Sequence, residues 1–343
     1  MATKLYHVAV VGATGLVGQE IIKILEQRNF PVGSLQLFTT DSLNKQKLFV
    51  KHQEMAVQEV TTESFRGIDI AFFSAGRETV RYLLPFAVKA GTLVIDNSPA
   101  FRMDKDVPLV VPEVNLEDIK IHHGIIASPG SLTVPLTTIT TPLHRLNPVK
   151  RIIVDTYQSV SANGAAAVEE LTKQTRQVLD GQAAVSKVYP HQIAFNLLPE
   201  TDVFLDTGYT REERGIMDET RKIMHTSEIA ISATCVRVPV FLSHSASIHI
   251  EFTKSITPED VRQVLSGASG VRVLDDTTVS LYPQPWAVVG SDDCYVGRIR
   301  QDVSHKNGVA MWIVADNIRK GAALNMVQIA EETIKRGWLS AGG

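Results

Sequence analysis

Apolar positions in the first third of the chain fall into short runs that alternate with helical patterns. Tyr6-His7-Val8-Ala9-Val10-Val11 is apolar and rich in β-branched residues, which predicts a strand ending at Gly12. Behind it Val17, Ile21, Ile24 and Leu25 share one helical face, while Gln19, Glu20, Lys23 and Glu26 lie mostly toward the other. Further buried strands are predicted at residues 35–38, 68–73, 92–96 and 124–127, with a helix over 81–90. Such alternation predicts an α/β, Rossmann-like parallel sheet with helices on both faces. Ligands of these sheets collect at the carboxyl ends of the strands, where Gly12, Ser74 and Ser131 all belong.

From about residue 150 the pattern changes. Longer runs at 151–157, 229–240, 247–252, 294–300 and 310–314, with a helix over 166–179, predict a mixed or antiparallel sheet in a second domain of α+β type. Residues 321–336 are again helical in pattern. The segment 185–217 contains Pro190, Pro199 and Gly208, and reads as extended loops.

Composition narrows the class without naming a chemistry. A chain of 343 residues accommodates two domains, and 44% hydrophobic with 21% charged residues places it among soluble globular proteins. A net charge of -3 supplies no pull toward nucleic acid or an anionic membrane. No apolar run approaches the roughly 18 residues of a membrane span, and the N-terminus lacks a signal-peptide profile. Cys235 and Cys294 form neither a metal-ligand spacing nor a disulfide framework, so the expectation is no metal and a reducing cytoplasm.

Three features carry candidate chemistry. The first is the turn Gly12-Ala13-Thr14-Gly15-Leu16-Val17-Gly18 between strand and helix. Its glycines let the backbone approach a pyrophosphate that the helix N-terminus faces. The spacing G-x-x-G-x-x-G departs from G-x-G-x-x-G, and glycine turns also join strand to helix without a nucleotide. The flanking elements favour the nucleotide reading. The second is Ser131, in the stretch "IIASPGSLT". A serine hydroxyl is un-ionised near neutrality unless a base takes its proton, and no G-x-S-x-G elbow is present. Ser131 reads better as the cap of a following helix. The third is Arg237, alone in an apolar run, which needs a ligand or a carboxylate such as Glu212.

The phrases "VGATGLVGQE", "VIDNSPAFRMDKDVPLVVPEVN", "TYQSVSANG", "AFNLLPETDVF", "SATCVRVPV", "VGRIR" and "MWIVADNIRKGAALN", with His244-Ser245 between, resemble the aspartate-β-semialdehyde dehydrogenase family over nearly the whole chain. The resemblance implies a Rossmann-like NAD(P)-binding domain of residues 1–131 and 320–343. It also implies an α+β substrate-binding and dimerisation domain of 132–319, and a homodimer. The family's reaction converts aspartyl phosphate to aspartate semialdehyde with NADPH through a cysteine thioester. Its nucleophile stretch, Pro-Asn-Cys-Ser-Thr, reads Pro129-Gly130-Ser131-Leu132-Thr133 here, so the thiol and the phosphate-contacting amide are both replaced. The accompanying Gln is kept as Gln158, the carboxylate-binding Arg as Arg237 and the acid/base His as His244. The phosphate-binding Arg corresponds to Arg102, and Glu212 is the glutamate expected to meet the substrate amine. The phosphate-binding Lys of that segment is lost, with Arg214 as a partial substitute. The second cysteine of the family, Cys235 here, is not catalytic.

The resemblance further implies that Gly12, Thr14, Gly15, Leu16, Val17, Gly18, Thr39, Asp41, Ser74, Ala75, Gly76 and Asn317 bind the cofactor. Members preferring NADPH carry an Arg shortly after the second strand. Asp41 at that place would repel a 2′-phosphate and accept from a 2′-OH, which argues for NAD, though a turn residue reads equally well. Absence of the cysteine makes the chain similar to the family's Usg-type paralogues. The expectation is a protein that binds nucleotide and an amino-acid-like ligand, with little or no dehydrogenase activity and a role in ligand sensing or association with a partner protein. The alternative is an enzyme working through Ser131 or without a covalent intermediate.

Overall fold

β1 (Tyr6–Val11) is buried on both faces because its side chains alternate between two apolar layers. Val8 and Val10 enter one layer, Ala9 and Val11 the other. The computed structural model describes residues 4–40, 46–51 and 53–339, and Asp41 lies outside them. The chain divides into two compact units, residues 1–130 with 322–343 and residues 131–321.

In the first unit, α1 (Leu16–Gln27) follows β1 and is succeeded by β2 (Val32–Thr39). The hairpin strands β3 (Lys47–Val50) and β4 (Gln53–Ala56) pair antiparallel, and β5 (Gln58–Glu59) returns to the edge of the main sheet. β6 (Ile70–Phe73), α2 (Arg77–Lys89), β7 (Leu93–Asp96) and β8 (Ile125–Ala127) complete it. The sheet order is β5-β2-β1-β6-β7-β8, with every pairing parallel. This is the Rossmann-like parallel sheet expected from the alternation. β1 sits near its centre, so the turn after it opens at the carboxyl edge.

The second unit opens with α3 (Thr133–Leu146), then β9 (Val149–Gln158), α4 (Ala165–Leu179), α5 (Arg211–Ile223), β10 (Ala230–Arg237) and β11 (His244–Phe252). It continues with α6 (Pro258–Ser266), β12 (Val271–Val273), β13 (Cys294–Gln301) and β14 (Gly308–Ala315). The sheet order is β10-β9-β11-β14-β13-β12. Its end pairs are parallel and its three central pairings antiparallel, a mixed sheet as expected. One face packs under α3, α5 and α6 through Leu136, Ile139, Ile216, Val261, Ile248 and Met311. The chain ends in α7 (Leu324–Lys335), which belongs to the first unit and packs on α1. Among the described residues no helix is long and apolar enough to cross a membrane.

The extended-loop reading of 185–217 is corrected at its C-terminal end, where α5 begins at Arg211. Its start is fixed by a capping box: Thr210 accepts from the Glu213 N–H at 3.2 Å, and Glu213 accepts from the Thr210 N–H at 2.7 Å. The second Glu213 oxygen accepts from the Cys235 N–H at 2.8 Å, tying the helix start to β10.

Candidate functional site

In the first unit, the glycine turn has the backbone shape that its residues suggest. Gly12 has φ +83, and a Cβ there would lie 2.1 Å from the Ser74 carbonyl oxygen. A Cβ on Gly18 would lie 2.2 Å from the Gly12 oxygen, so this glycine lets the helix start close against the strand end. The Gly12 and Ala13 amides are spent on the Phe38 carbonyl at 2.9 and 3.0 Å. Gly15 caps α1, whose first turn has no side-chain cap and no acidic residue. The N–H groups of Leu16, Val17 and Gly18 therefore begin a helix end that favours an anion. Ser74, Ala75 and Gly76 lead from β6 into α2, and Gly76 caps that helix. The Ser74 N–H bonds the Val11 carbonyl at 2.9 Å, which brings this second turn against the first. Thr39 is buried at the end of β2. Thr14 and Gly15 lie in the turn itself. The missing Cβ atoms of Gly12 and Gly18 let the turn close tightly against its own backbone, and the uncapped helix start it delivers is of the kind that accepts a dinucleotide's pyrophosphate.

Arg102, also in the first unit, is half-buried, with Nε donating to the Ser128 carbonyl at 3.0 Å and Nη2 to the Asn97 carbonyl at 2.7 Å. These bonds fix the guanidinium near the ends of β7 and β8. Beside it Asp96 is buried and accepts twice from Ser98, and burial pushes its carboxyl up to about 6.

In the second unit, three adjacent strands deliver polar side chains to one end of the sheet. β9 and β10 run parallel and end at paired residues Gln158 and Arg237; β11 runs antiparallel and starts at His244. Pro239, two residues beyond Arg237, ends β10 because it has no N–H for the ladder. All three side chains are buried. Gln158 Nε2 donates to Thr156 Oγ1 at 3.3 Å. Arg237 Nη1 donates to the Ser159 carbonyl at 2.9 Å, while its Nε has no partner among the described residues. Burial lowers the Arg237 guanidinium below its ordinary range, and the nearby Tyr189 and Glu212 act in the opposite direction. Glu212, in the first turn of α5, is thus the carboxylate neighbour that Arg237 requires. Burial and then the Glu212 charge push the Cys235 thiol up to about 12, so it stays protonated and inert.

His244 Nδ1 accepts from the Ser159 N–H at 3.1 Å, and its Nε2 is buried without a partner among the described residues. Burial, then the charge of Arg237, push the ring down to about 3. Asn317, expected among the cofactor-binding residues, lies in this cluster with its amide occupied. Its Oδ1 accepts from the Ser243 N–H at 2.9 Å and from Ser159 and Ser161 Oγ at 3.2 Å each, and its Nδ2 donates to Ser161 at 3.0 Å. Arg214, the expected substitute for the lost lysine, bonds Asp218 on its own helix at 2.6 Å.

Ser131 does not cap α3, which corrects the expectation. The residue before the helix is Leu132, with no side-chain cap, and Ser131 lies one position earlier. Among the described residues its hydroxyl makes no hydrogen bond. The chain passes close here: a Cβ on Gly321 would lie 2.6 Å from the Ser131 carbonyl oxygen and 3.0 Å from its Cβ. The first turn of α3 has neither cap nor acidic residue, so its dipole would favour a thiolate but leaves a hydroxyl un-ionised. Ser159, Ser161, Tyr189, Glu213 and Gly321 were not singled out by sequence reasoning. Only the Thr210-x-x-Glu213 spacing carried a usable local signal.

Comparison with known proteins gives a consistent picture. Residues 7–122 match the family model described as "Semialdehyde dehydrogenase, NAD binding domain", and residues 141–320 the one described as "Semialdehyde dehydrogenase, dimerisation domain". The aspartate-semialdehyde dehydrogenase of Aquifex aeolicus is 50% identical over 97% of this chain and 99% of its own. That of Bacillus subtilis is 46% identical over 96% and 97%. The crystal structure of aspartate semialdehyde dehydrogenase II from Vibrio cholerae superposes with a TM-score of 0.94 at 40% identity, covering 97% of this chain and 99% of that one. The same protein has been solved complexed with ASA.

Proposed function

The chain belongs to the aspartate-semialdehyde dehydrogenase family, and from that premise we propose that it is a cysteine-lacking paralogue. In this reading it binds a nicotinamide dinucleotide and a small amino-acid carboxylate without phosphorylating dehydrogenase turnover. The observation that carries the reading is Ser131: at the position that matches the family's nucleophile, its hydroxyl is bonded to no base among the described residues. A thiol there is partly ionised near neutrality, whereas a serine needs a positioned proton acceptor. Arg237 and Glu212 support retained ligand binding, as a buried cation with an unpartnered Nε and a carboxylate close by. Gln158 is the further ligand-facing residue of the second unit, and Arg102 is the candidate anion-binding residue of the first. The dinucleotide supplies or accepts hydride when bound; Gly12 to Gly18 and Ser74 to Gly76 are the residues that would hold it.

The test is NAD(P)-linked oxidation of aspartate semialdehyde, with and without phosphate, on wild type, Ser131→Ala and Ser131→Cys. Wild type and Ser131→Ala are expected to be indistinguishable, on the order of a thousandfold or more below a cysteine-bearing relative. Turnover in wild type that disappears with Ser131→Ala sinks the proposal in favour of a serine enzyme. A gain confined to Ser131→Cys supports it.

Asp41 argues for NAD at least as tight as NADP, because a carboxylate after β2 repels a 2′-phosphate. Calorimetric titration with both dinucleotides checks this, and tight binding of NADP alone refutes it. The homodimer is proposed to form through the second unit. The sheet face opposite α3, α5 and α6 carries Ile153, Tyr157, Val236 and Trp312, half-buried or exposed within one protomer. Light scattering is expected to give twice the 37.6 kDa chain mass, and Tyr157→Glu to shift it toward the monomer.

A further inference from the structure

Arg237 and His244 are tied to the same residue. Ser159, just beyond the end of β9, donates its backbone N–H to His244 Nδ1 at 3.1 Å, and its carbonyl accepts from Arg237 Nη1 at 2.9 Å. A backbone amide can only donate, so Nδ1 must present its lone pair. A neutral imidazole in that state carries its hydrogen on Nε2. Among the described residues that nitrogen is buried and unpartnered, as is Arg237 Nε, with the two residues 1% and 5% exposed. Two donors are thus left unspent by the protein, at the end of the sheet where the ligand-facing residues gather. Buried donors without partners are costly, and a ligand oxygen removes that cost.

The surroundings fix the arrangement. Ser159 Oγ lies 3.1 Å from His244 Nδ1 and 3.0 Å from Ser161 Oγ, and donates to Asn317 Oδ1 at 3.2 Å. Ser243, immediately before the histidine, has φ 69, a left-handed conformation unfavourable for a serine, and Asn317 Oδ1 accepts its N–H. That bond holds the unfavourable backbone conformation next to the ring in place. A second proton is disfavoured by burial and by the Arg237 charge.

We propose that the backbone of Ser159 holds His244 as the neutral Nε2–H tautomer, making it a fixed hydrogen-bond donor to a carboxylate, carbonyl or oxyanion oxygen rather than a base. Ser159 is then the positioning residue for both donors. Proton abstraction by Nε2 would require moving its hydrogen to Nδ1, where it would meet the Ser159 N–H head on. The same feature leaves Ser131 without a proton acceptor in His244. The assignment of this cluster as the ligand site rests on the function proposed above; the tautomer does not, because it is read on the free protein.

The experiment is long-range proton–nitrogen correlation on the full chain labelled with ¹⁵N-histidine near pH 7. The His244 signals are identified by their loss in His244→Asn, whose side-chain oxygen still accepts from Ser159. The expected result is a pyridine-type Nδ1 and a pyrrole-type Nε2. An Nδ1–H tautomer or an imidazolium pattern overturns the proposal. Ser159→Ala removes the hydroxyl and keeps the backbone N–H, so the same pattern is expected to persist. Loss of the pattern in that variant overturns the backbone as the lock. Absence of nucleotide binding in calorimetry would undo the proposed function and leave this result standing.

Discussion

Gly12→Ala is expected to abolish dinucleotide binding and to destabilise the protein by roughly 2–5 kcal/mol. Two independent costs add. The residue sits at φ +83, where an L side chain is strained, and the new Cβ would stand 2.1 Å from the Ser74 oxygen and 2.9 Å from its carbonyl carbon. Both obstructing atoms are backbone, and the Ser74 N–H is bonded to the Val11 carbonyl, so the neighbour cannot swing aside. Relief must come from parting β1 and β6, which spoils the turn a pyrophosphate would use. Gly15→Ala is the control: its Cβ meets only the Gly12 oxygen at 3.4 Å, and its φ of -75 is ordinary. Urea midpoints and NADH fluorescence titrations read both effects. Equal midpoints for the two variants would refute the steric account.

His244 is expected to make the second unit acid-sensitive. In the unfolded chain its pKa is about 6.5, and in the fold burial and Arg237 push it down to about 3. Between these values the unfolded state binds a proton that the native state refuses. Its contribution is therefore fully present above the unfolded value and lost as pH falls toward the folded one. The slope approaches 1.4 kcal/mol per pH unit, which integrates to about 2 kcal/mol between pH 7 and pH 5. Asp96, in the first unit, works the other way: its carboxyl is raised from 3.8 to about 6, so its contribution is present below the unfolded value and lost as pH rises through the folded one. The wild-type curve alone mixes the two. The difference between wild type and His244→Asn isolates the histidine, and denaturant titrations should show it shrinking by about 2 kcal/mol over that interval. A difference independent of pH would mean that the ring titrates in the fold as it does in the unfolded chain, and a difference that grows as pH falls would mean that it is charged there.

Much of the first unit was legible because its signals are local. A β-branched run, three glycines and an amphipathic stretch are set by neighbours a few residues apart, and they name strand, turn and helix before any partner is known. Alternation along β9, β11 and β14 likewise predicted a sheet in the second unit. The start of α5 carries a local signal too, in Thr210 and Glu213, although Pro190, Pro199 and Gly208 upstream give the segment a loop-like composition. Serine as a residue type favours a cap, but the helix begins one residue too late for Ser131 to be one.

The candidate site divides on the same line. Family resemblance named Gln158, Arg237, Glu212 and His244 one residue at a time, and apolar context alone demanded a partner for Arg237. What these side chains do to one another was decided by register. Gln158 pairs with Arg237 across β9 and β10, and His244 reaches a backbone amide 85 residues away in sequence. A peptide N–H has no residue-type signature, so no reading of the sequence would single out Ser159. Local pattern and residue identity account for most of the elements and for the inventory of polar groups. Tertiary structure decided which lone pair of His244 is occupied, because that depends on a donor that every non-proline residue carries and only the fold brings within 3.1 Å.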